Sequence, residues 1–274
     1  MYIKGQISTF TYLGGKFSIL PWLLPQLPVV KHFVDVFGGS AVVLLNRQQS
    51  PIETYNDINH KVTNFFEVLR REPDELIRLL QLTPHSRYEY ENAWHLDTNT
   101  PVEKARKFFI RTQQSIFAAG AQDIVKGWRS SMSESRVSIS EATHKYLKAV
   151  NGLWEVAERL KQVQIECRDF RFILKAYDSK DTGFYLDCPY DMTHRSSTKY
   201  EFEFQQQDFF DMQYWCKQAQ GKVAISGYDT PFMRDLFADF NFIPGPKRKN
   251  NRSEKEAFEC LWTNYEPTQS KLFA

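Results

Sequence analysis

The residues Asp187-Cys188-Pro189-Tyr190 combine types that could hold and activate an amine. They follow Phe184-Tyr185-Leu186, a hydrophobic run of strand formers, so a carboxylate stands where a core strand ends. Parallel-sheet enzymes keep their chemistry at that place. Pro189 fixes its own backbone and restrains Cys188 to an extended conformation. The Cys188 carbonyl, unable to join a ladder, is then aimed into the cleft beside Asp187. Two neighbouring acceptors match the two N–H hydrogens of an exocyclic amino group, and Tyr190 offers a ring face for a planar base. An aromatic amine is a poor nucleophile because its lone pair is delocalised into the ring. In-plane acceptors on both N–H bonds favour a more tetrahedral nitrogen with a directed lone pair, which is catalysis by positioning and electrostatics. The plain alternative is an Asp-x-Pro-Tyr turn closing a strand.

A second constellation lies near the N-terminus. Phe33-Val34-Asp35-Val36-Phe37 reads as a strand, closed by Gly38-Gly39-Ser40 and followed by a helical segment from Ala41 to Asn46. Residues without Cβ let a ligand approach the backbone at the start of a helix. Asp57 ends the next strand, Glu53-Thr54-Tyr55-Asn56, about twenty residues further on, where a nucleoside-binding sheet places its ribose-hydroxyl acceptor. The glycines do not form G-x-G-x-x-G, which disfavours a dinucleotide. Upstream, Tyr12-Leu13-Gly14-Gly15-Lys16 is either a surface turn with a solvated lysine or a glycine loop presenting Lys16 to the ligand.

The elements that must position these groups read as an α/β core. Strand, glycine turn, helix and strand make a βαβ unit, and a helical pattern from about Asn59 to Arg71 continues it. Strand-like runs return at Gln164–Cys167, Phe184–Asp187, Lys222–Ser226 and Phe258–Trp262. Between them the chain is mostly helical, with a Gly-, Ser- and Arg-rich stretch from Gly120 to Ser140 that reads as a long loop. The expected organisation is a discontinuous catalytic domain, residues 1–72 and 164–274, carrying a helical insert over residues 73–163. An insert of that length serves binding more often than stability.

Bulk properties exclude several classes. The net charge of +2 on 274 residues rules out a uniformly basic protein, so any nucleic-acid contact needs charge gathered on one face. Cys167, Cys188, Cys216 and Cys260 are scattered with no metal spacing, and the six histidines show none either, so no metal is expected. No apolar stretch approaches the roughly 18 residues of a membrane span, and the first residues lack an apolar signal region. A cytoplasmic protein with reduced thiols is the expectation, with no membrane partner. A phosphate-transfer enzyme is disfavoured, as no G-x-x-x-x-G-K-[ST] loop is present.

Taken together, these segments resemble the DNA adenine methylase (Dam, or D12-class) family of S-adenosylmethionine-dependent N6-adenine methyltransferases, over about residues 8–72 and 164–265. Tyr12 to Lys16 is similar to the family's Trp/Tyr-x-Gly-Gly-Lys segment, which touches the cofactor and the target base. Phe37-Gly38-Gly39-Ser40-Ala41 resembles its Phe-x-Gly-x-Gly loop with a shifted glycine pattern. Asp57-Ile58-Asn59 matches the ribose-binding Asp-Ile-Asn, and Asp169-Phe170 the Asp-Phe that meets the cofactor adenine. Asp187-Cys188-Pro189-Tyr190 stands for Asp-Pro-Pro-Tyr; the second position acts through its carbonyl, so cysteine is tolerable. Ile225-Ser226-Gly227-Tyr228-Asp229 and Thr263-Asn264-Tyr265 resemble later segments.

The resemblance implies a Rossmann-like methyltransferase sheet, mostly parallel with an antiparallel C-terminal strand, and a helical target-recognition insert. It implies S-adenosyl-L-methionine as cofactor and double-stranded DNA as partner, with a flipped-out adenine as the methyl acceptor in a bacterial or phage setting. Cytosine-N4 methylation and a catalytically inactive DNA-binding relative are the alternatives. Three basic stretches are candidate phosphate contacts: Lys104 to Lys107 with Arg111; Lys126, Arg129 and Arg136; and Lys247-Arg248-Lys249 with Asn251 and Arg252, in a polar loop before the final strand. His194 to Lys199 is expected to form a loop over the flipped base. The tail Gln269-Ser270-Lys271-Leu272-Phe273 resembles a sliding-clamp docking peptide, though an ordinary frayed tail is the simpler reading.

Overall fold

Seven strands form one sheet among the described residues of the computed structural model, which are 6–12, 14–95, 100–116, 120, 121, 125, 127–189, 204–248 and 257–267. They are β1 (His32–Asp35), β2 (Ile52–Asn56), β3 (Val163–Glu166), β4 (Thr182–Leu186), β5 (Lys222–Tyr228), β6 (Asn241–Arg248) and β7 (Ala257–Thr263). The order across the sheet is β3-β2-β1-β4-β5-β7-β6. β3, β2, β1, β4 and β5 pair in parallel, whereas β7 runs antiparallel to β5 and to β6. This is the mostly parallel α/β sheet with an antiparallel C-terminal strand, β7, expected of a Rossmann-like methyltransferase fold.

The helices are α1 (Leu20–Leu23), α2 (Val42–Asn46), α3 (His60–Arg71), α4 (Pro73–Leu82), α5 (Arg87–Asn92), α6 (Pro101–Gln114), α7 (Glu141–Leu160), α8 (Phe170–Ala176), α9 (Gln206–Gln218) and α10 (Pro231–Leu236). Parallel strands covered on both faces must be apolar throughout, and every residue of β4 is buried. α3 starts where the Asn59 side chain accepts the N–H of Lys61, and it buries Val62, Phe65, Phe66 and Leu69. Against that stripe lie the rings of Phe108 and Phe109 from α6, with Phe65 stacked on Phe109 at 5.7 Å. α7 joins the same core through Tyr146, whose hydroxyl donates to the Leu80 carbonyl at the end of α4. The helices of residues 73–160 thus share one apolar core with α3, β2 and β3.

Two expectations change. β6 was not foreseen, and its end contains Lys247 and Arg248, which therefore belong to a strand rather than to a polar loop. Pro244, Gly245 and Pro246 interrupt the strand pattern there, and they are accommodated because β6 is the sheet edge and its register shifts between Pro244 and Lys247. The basic stretch on α6 is also spent internally. Arg106 pairs with Glu103 at 2.7 Å and Glu89 at 3.1 Å, Lys107 donates to the His95 carbonyl, and Arg111 is buried beneath Trp94. Only Lys104 of that stretch is exposed. Lys126, Tyr190, the 194–199 loop, Lys249, Asn251, Arg252 and the 269–273 tail lie outside the described residues. Among the described residues, no helix is long and apolar enough to cross a membrane and no cluster could hold a metal ion.

Candidate active site

Doubly wound sheets open a crevice where neighbouring strands send their connections to opposite faces, at the carboxyl ends. Here that point lies between β1 and β4, the central pair. Three carboxylates collect there. Asp35 is the last residue of β1, Asp57 follows β2, and Asp187 follows β4. All three line one cleft, open to solvent, together with Tyr12, Gly14, Gly15, Lys16, Phe37, Gly38, Gly39, Ser40, Ile58, Cys188 and Pro189. Of the cofactor residues expected from sequence, Ala41, Asp169 and Phe170 do not line it. Ala41 is buried behind the turn, and Phe170 packs its ring 5.7 Å from that of Phe37. Asp169 caps α8 by accepting the N–H of Arg171, and pairs with the same guanidinium.

The turn after β1 is built around backbone approach. Gly38 donates to the Asn56 carbonyl, Tyr55 donates its hydroxyl to the Gly39 carbonyl at 2.7 Å, and Gly39 donates to Asp57 Oδ2 at 2.9 Å. Gly39 has φ +50 and Ala41 φ +57, so the left-handed position of the turn is filled by glycine once and by alanine once. A Cβ on Gly38 would sit 2.1 Å from the Tyr55 ring, which is fully buried. Asp57 also takes the Asn59 N–H on Oδ1 at 2.8 Å, yet burial holds its carboxyl up at about 6.

Lys16 is the buried cation of the site. Its ammonium lies 2.6 Å from Asp187 Oδ1 and 2.9 Å from Glu259 Oε1, and also donates to the Gly14 carbonyl at 3.3 Å. Burial alone would lower its pKa, but the two carboxylates together hold it above the ordinary lysine value. The surface-turn reading of this lysine is thereby replaced by a buried, doubly paired one. Asp187 is raised by burial and by Glu259, and pulled back by Lys16 and by Ser226, whose hydroxyl donates to Oδ1 at 3.1 Å. Ser226 has a single hydroxyl proton, so the 2.9 Å contact to Tyr185 is one in which the tyrosine donates. Cys188 is buried beside Asp187.

Sequence reasoning passed over Asp35, Ser226 and Glu259 as site groups. Asp35 is fully buried, with Oδ1 meeting no hydrogen-bond donor among the described residues. Burial first, and then Asp187 and Asp57, push its carboxyl up to about 8. The available signal was an acidic residue inside an apolar strand of a parallel sheet. Of the expected DNA contacts, Arg136 is exposed and Arg129 half-buried; the side chains of Lys247 and Arg248 are outside the described set.

A family model for the D12 class N6 adenine-specific DNA methyltransferases matches residues 12–251. The chain is 23% identical over 254 residues to a DNA N-6-adenine-methyltransferase of Escherichia phage P1, covering 87% of this chain but only 32% of that protein. It is 25% identical over 285 residues to the type II methyltransferase M1.LlaDCHI of Lactococcus lactis subsp. cremoris, covering 96% of this chain and 97% of the relative. Over 81 residues it is 33% identical to the modification methylase StsI of Streptococcus sanguinis, covering 29% of this chain and 12% of that protein.

Proposed function

We propose how the cleft works from one premise: the chain belongs to the D12 class of N6 adenine-specific DNA methyltransferases. The methyl donor is S-adenosylmethionine and the acceptor is the N6 amino group of an adenine turned out of duplex DNA, since a base stacked in the duplex cannot present that group to an active site. When bound, the donor supplies a methyl group on a positively charged sulfur. The residues present fit it. Asp35 brings a buried carboxyl oxygen without a donor, suited to an ammonium group, and Asp57 stands where a ribose diol would be held. Gly39, without a Cβ, lets the Tyr12 ring lie close against the turn, where an added Cβ would meet it at 3.2 Å. Phe37, backed by Phe170, offers an edge for an adenine ring.

Asp187 and the Cys188 carbonyl accept the two N–H bonds of the target amine. The nitrogen need not lose a proton beforehand; after methyl transfer it is acidic, and Asp187 is the acceptor nearest to it. Lys16 and Ser226 fix the carboxylate through Oδ1 and leave it little freedom, which is preorganisation rather than acid–base chemistry. The helices of residues 73–163, with Arg129 and Arg136, form the part that reads the target sequence. The observation that carries this reading is a carboxylate anchored at the end of β4, beside Pro189, in the same cleft as Asp35 and Asp57.

The test uses duplex DNA and S-adenosylmethionine labelled in its methyl group, followed by digestion to nucleosides. Labelled N6-methyladenine is expected, and Asp187→Ala should abolish it while DNA binding persists. Label found only in N4-methylcytosine, or activity retained in Asp187→Ala, would overturn the assignment.

A further inference from the structure

Glu259 is a buried carboxylate that the scheme above does not use. It lies on β7, opposite Tyr228 in the antiparallel pairing with β5, and is fully buried. Three elements distant in sequence thus bring charges together: the glycine loop before α1 gives Lys16, the end of β4 gives Asp187, and β7 gives Glu259. A buried carboxylate costs several kcal/mol in desolvation even when paired. Lys16 already meets Asp187 at 2.6 Å, and Glu259 brings a second carboxylate to the same ammonium at 2.9 Å.

We infer that Glu259 is a positioning residue for methyl transfer, acting through Lys16; this rests on the role given to Asp187 above. By sharing the ammonium, Glu259 keeps Lys16 from neutralising Asp187 and competing with the target amine for it. Asp187 therefore stays a strong acceptor at the moment when positive charge passes onto the amine nitrogen. Glu259 itself is buried and does not line the cleft, whereas Lys16 and Asp187 do. The negative charge is delivered by a rigid strand, so it requires no rearrangement during the reaction.

The experiment measures kcat, KM for both substrates and the pH dependence of kcat for wild type, Glu259→Gln and Glu259→Asp. Glu259→Gln keeps shape and hydrogen bonding but removes the charge. Its kcat should fall about tenfold or more with KM values nearly unchanged. Because Glu259 raises the Asp187 carboxyl, the acidic limb of the profile should move to lower pH. Glu259→Asp keeps the charge, so the limb should stay in place while kcat drops several-fold from the shortened reach. An unchanged kcat and limb in Glu259→Gln overturn the proposal, as does a fall in kcat with a limb that does not move. If Glu259→Gln does not fold, Glu259→Asp decides: reduced kcat at constant KM supports the role, and wild-type kcat refutes it. Asp187→Ala run alongside separates the two ideas, because activity retained there removes the premise and not just the role of Glu259.

Discussion

Asp57 accepts the backbone N–H of Gly39 at 2.9 Å, so the residue that ends the second strand also holds the turn that follows the first. The Asp57 carboxylate and the turn are therefore one mechanical unit. Asp57→Ala removes both this contact and the one to Asn59, and it should weaken S-adenosylmethionine binding about tenfold or more. Titration calorimetry reads this directly, and wild-type affinity would show that the carboxylate does not hold the donor.

Gly38→Ala tests the close approach of the turn to β2. The added Cβ would meet Tyr55 ring atoms at 2.1 and 2.5 Å, and that ring is fixed by its hydrogen bond to the Gly39 carbonyl. Overpacking of this kind should cost on the order of 3 kcal/mol and lower the unfolding midpoint in a denaturant titration. A change below about 0.5 kcal/mol would mean that the turn shifts freely.

Asp35 should give stability a specific pH dependence. Its carboxyl sits at about 8 in the folded protein against 3.8 for an ordinary aspartate. Between those values the folded state keeps a proton that the unfolded chain has released. Stability of the ligand-free protein therefore falls as pH rises through that window, and the loss is complete above about 8. Asp57, held at about 6, adds to the lower part of the same slope. Asp35→Asn should match wild type at low pH and exceed it by on the order of 3 kcal/mol near pH 9. The same variant should bind S-adenosylmethionine about tenfold more weakly. Parallel pH–stability curves for the two proteins would exclude Asp35 as the source.

The central strands, and the position of Asp187 just after β4, are legible in the sequence because they depend on local pattern. A fully apolar run ending in Asp-x-Pro has few structural meanings, and β1 and β2 with Asp57 form a compact βαβ unit. The antiparallel edge is not legible in the same way. Pro244, Gly245 and Pro246 deny the usual strand signature to β6, and only the pairing with β7 explains their tolerance. Glu259 looks like the solvent-facing member of an alternating strand, and nothing near it in sequence announces Lys16. The cationic run from Lys104 to Arg111 misleads for the opposite reason: Glu103 is visible one turn before Arg106, but Glu89, which also pairs with Arg106, and Trp94, whose ring packs against Arg111, come from another segment. Pairings between distant segments are what a linear reading lacks.

β7 inserts between β5 and β6, both of which precede it in the chain, and Tyr265 just beyond it donates to the Gln26 carbonyl, 239 residues away. Such non-local pairing forms late, because the loop must close before any contact rewards it. During synthesis, a chain made only as far as β6 would leave one edge of β5 open and Lys16 facing Asp187 without Glu259. Closing that edge and bringing Glu259 to Lys16 are then a single event, so the strand that completes the pairing of β5 also completes the charge cluster at the end of β4.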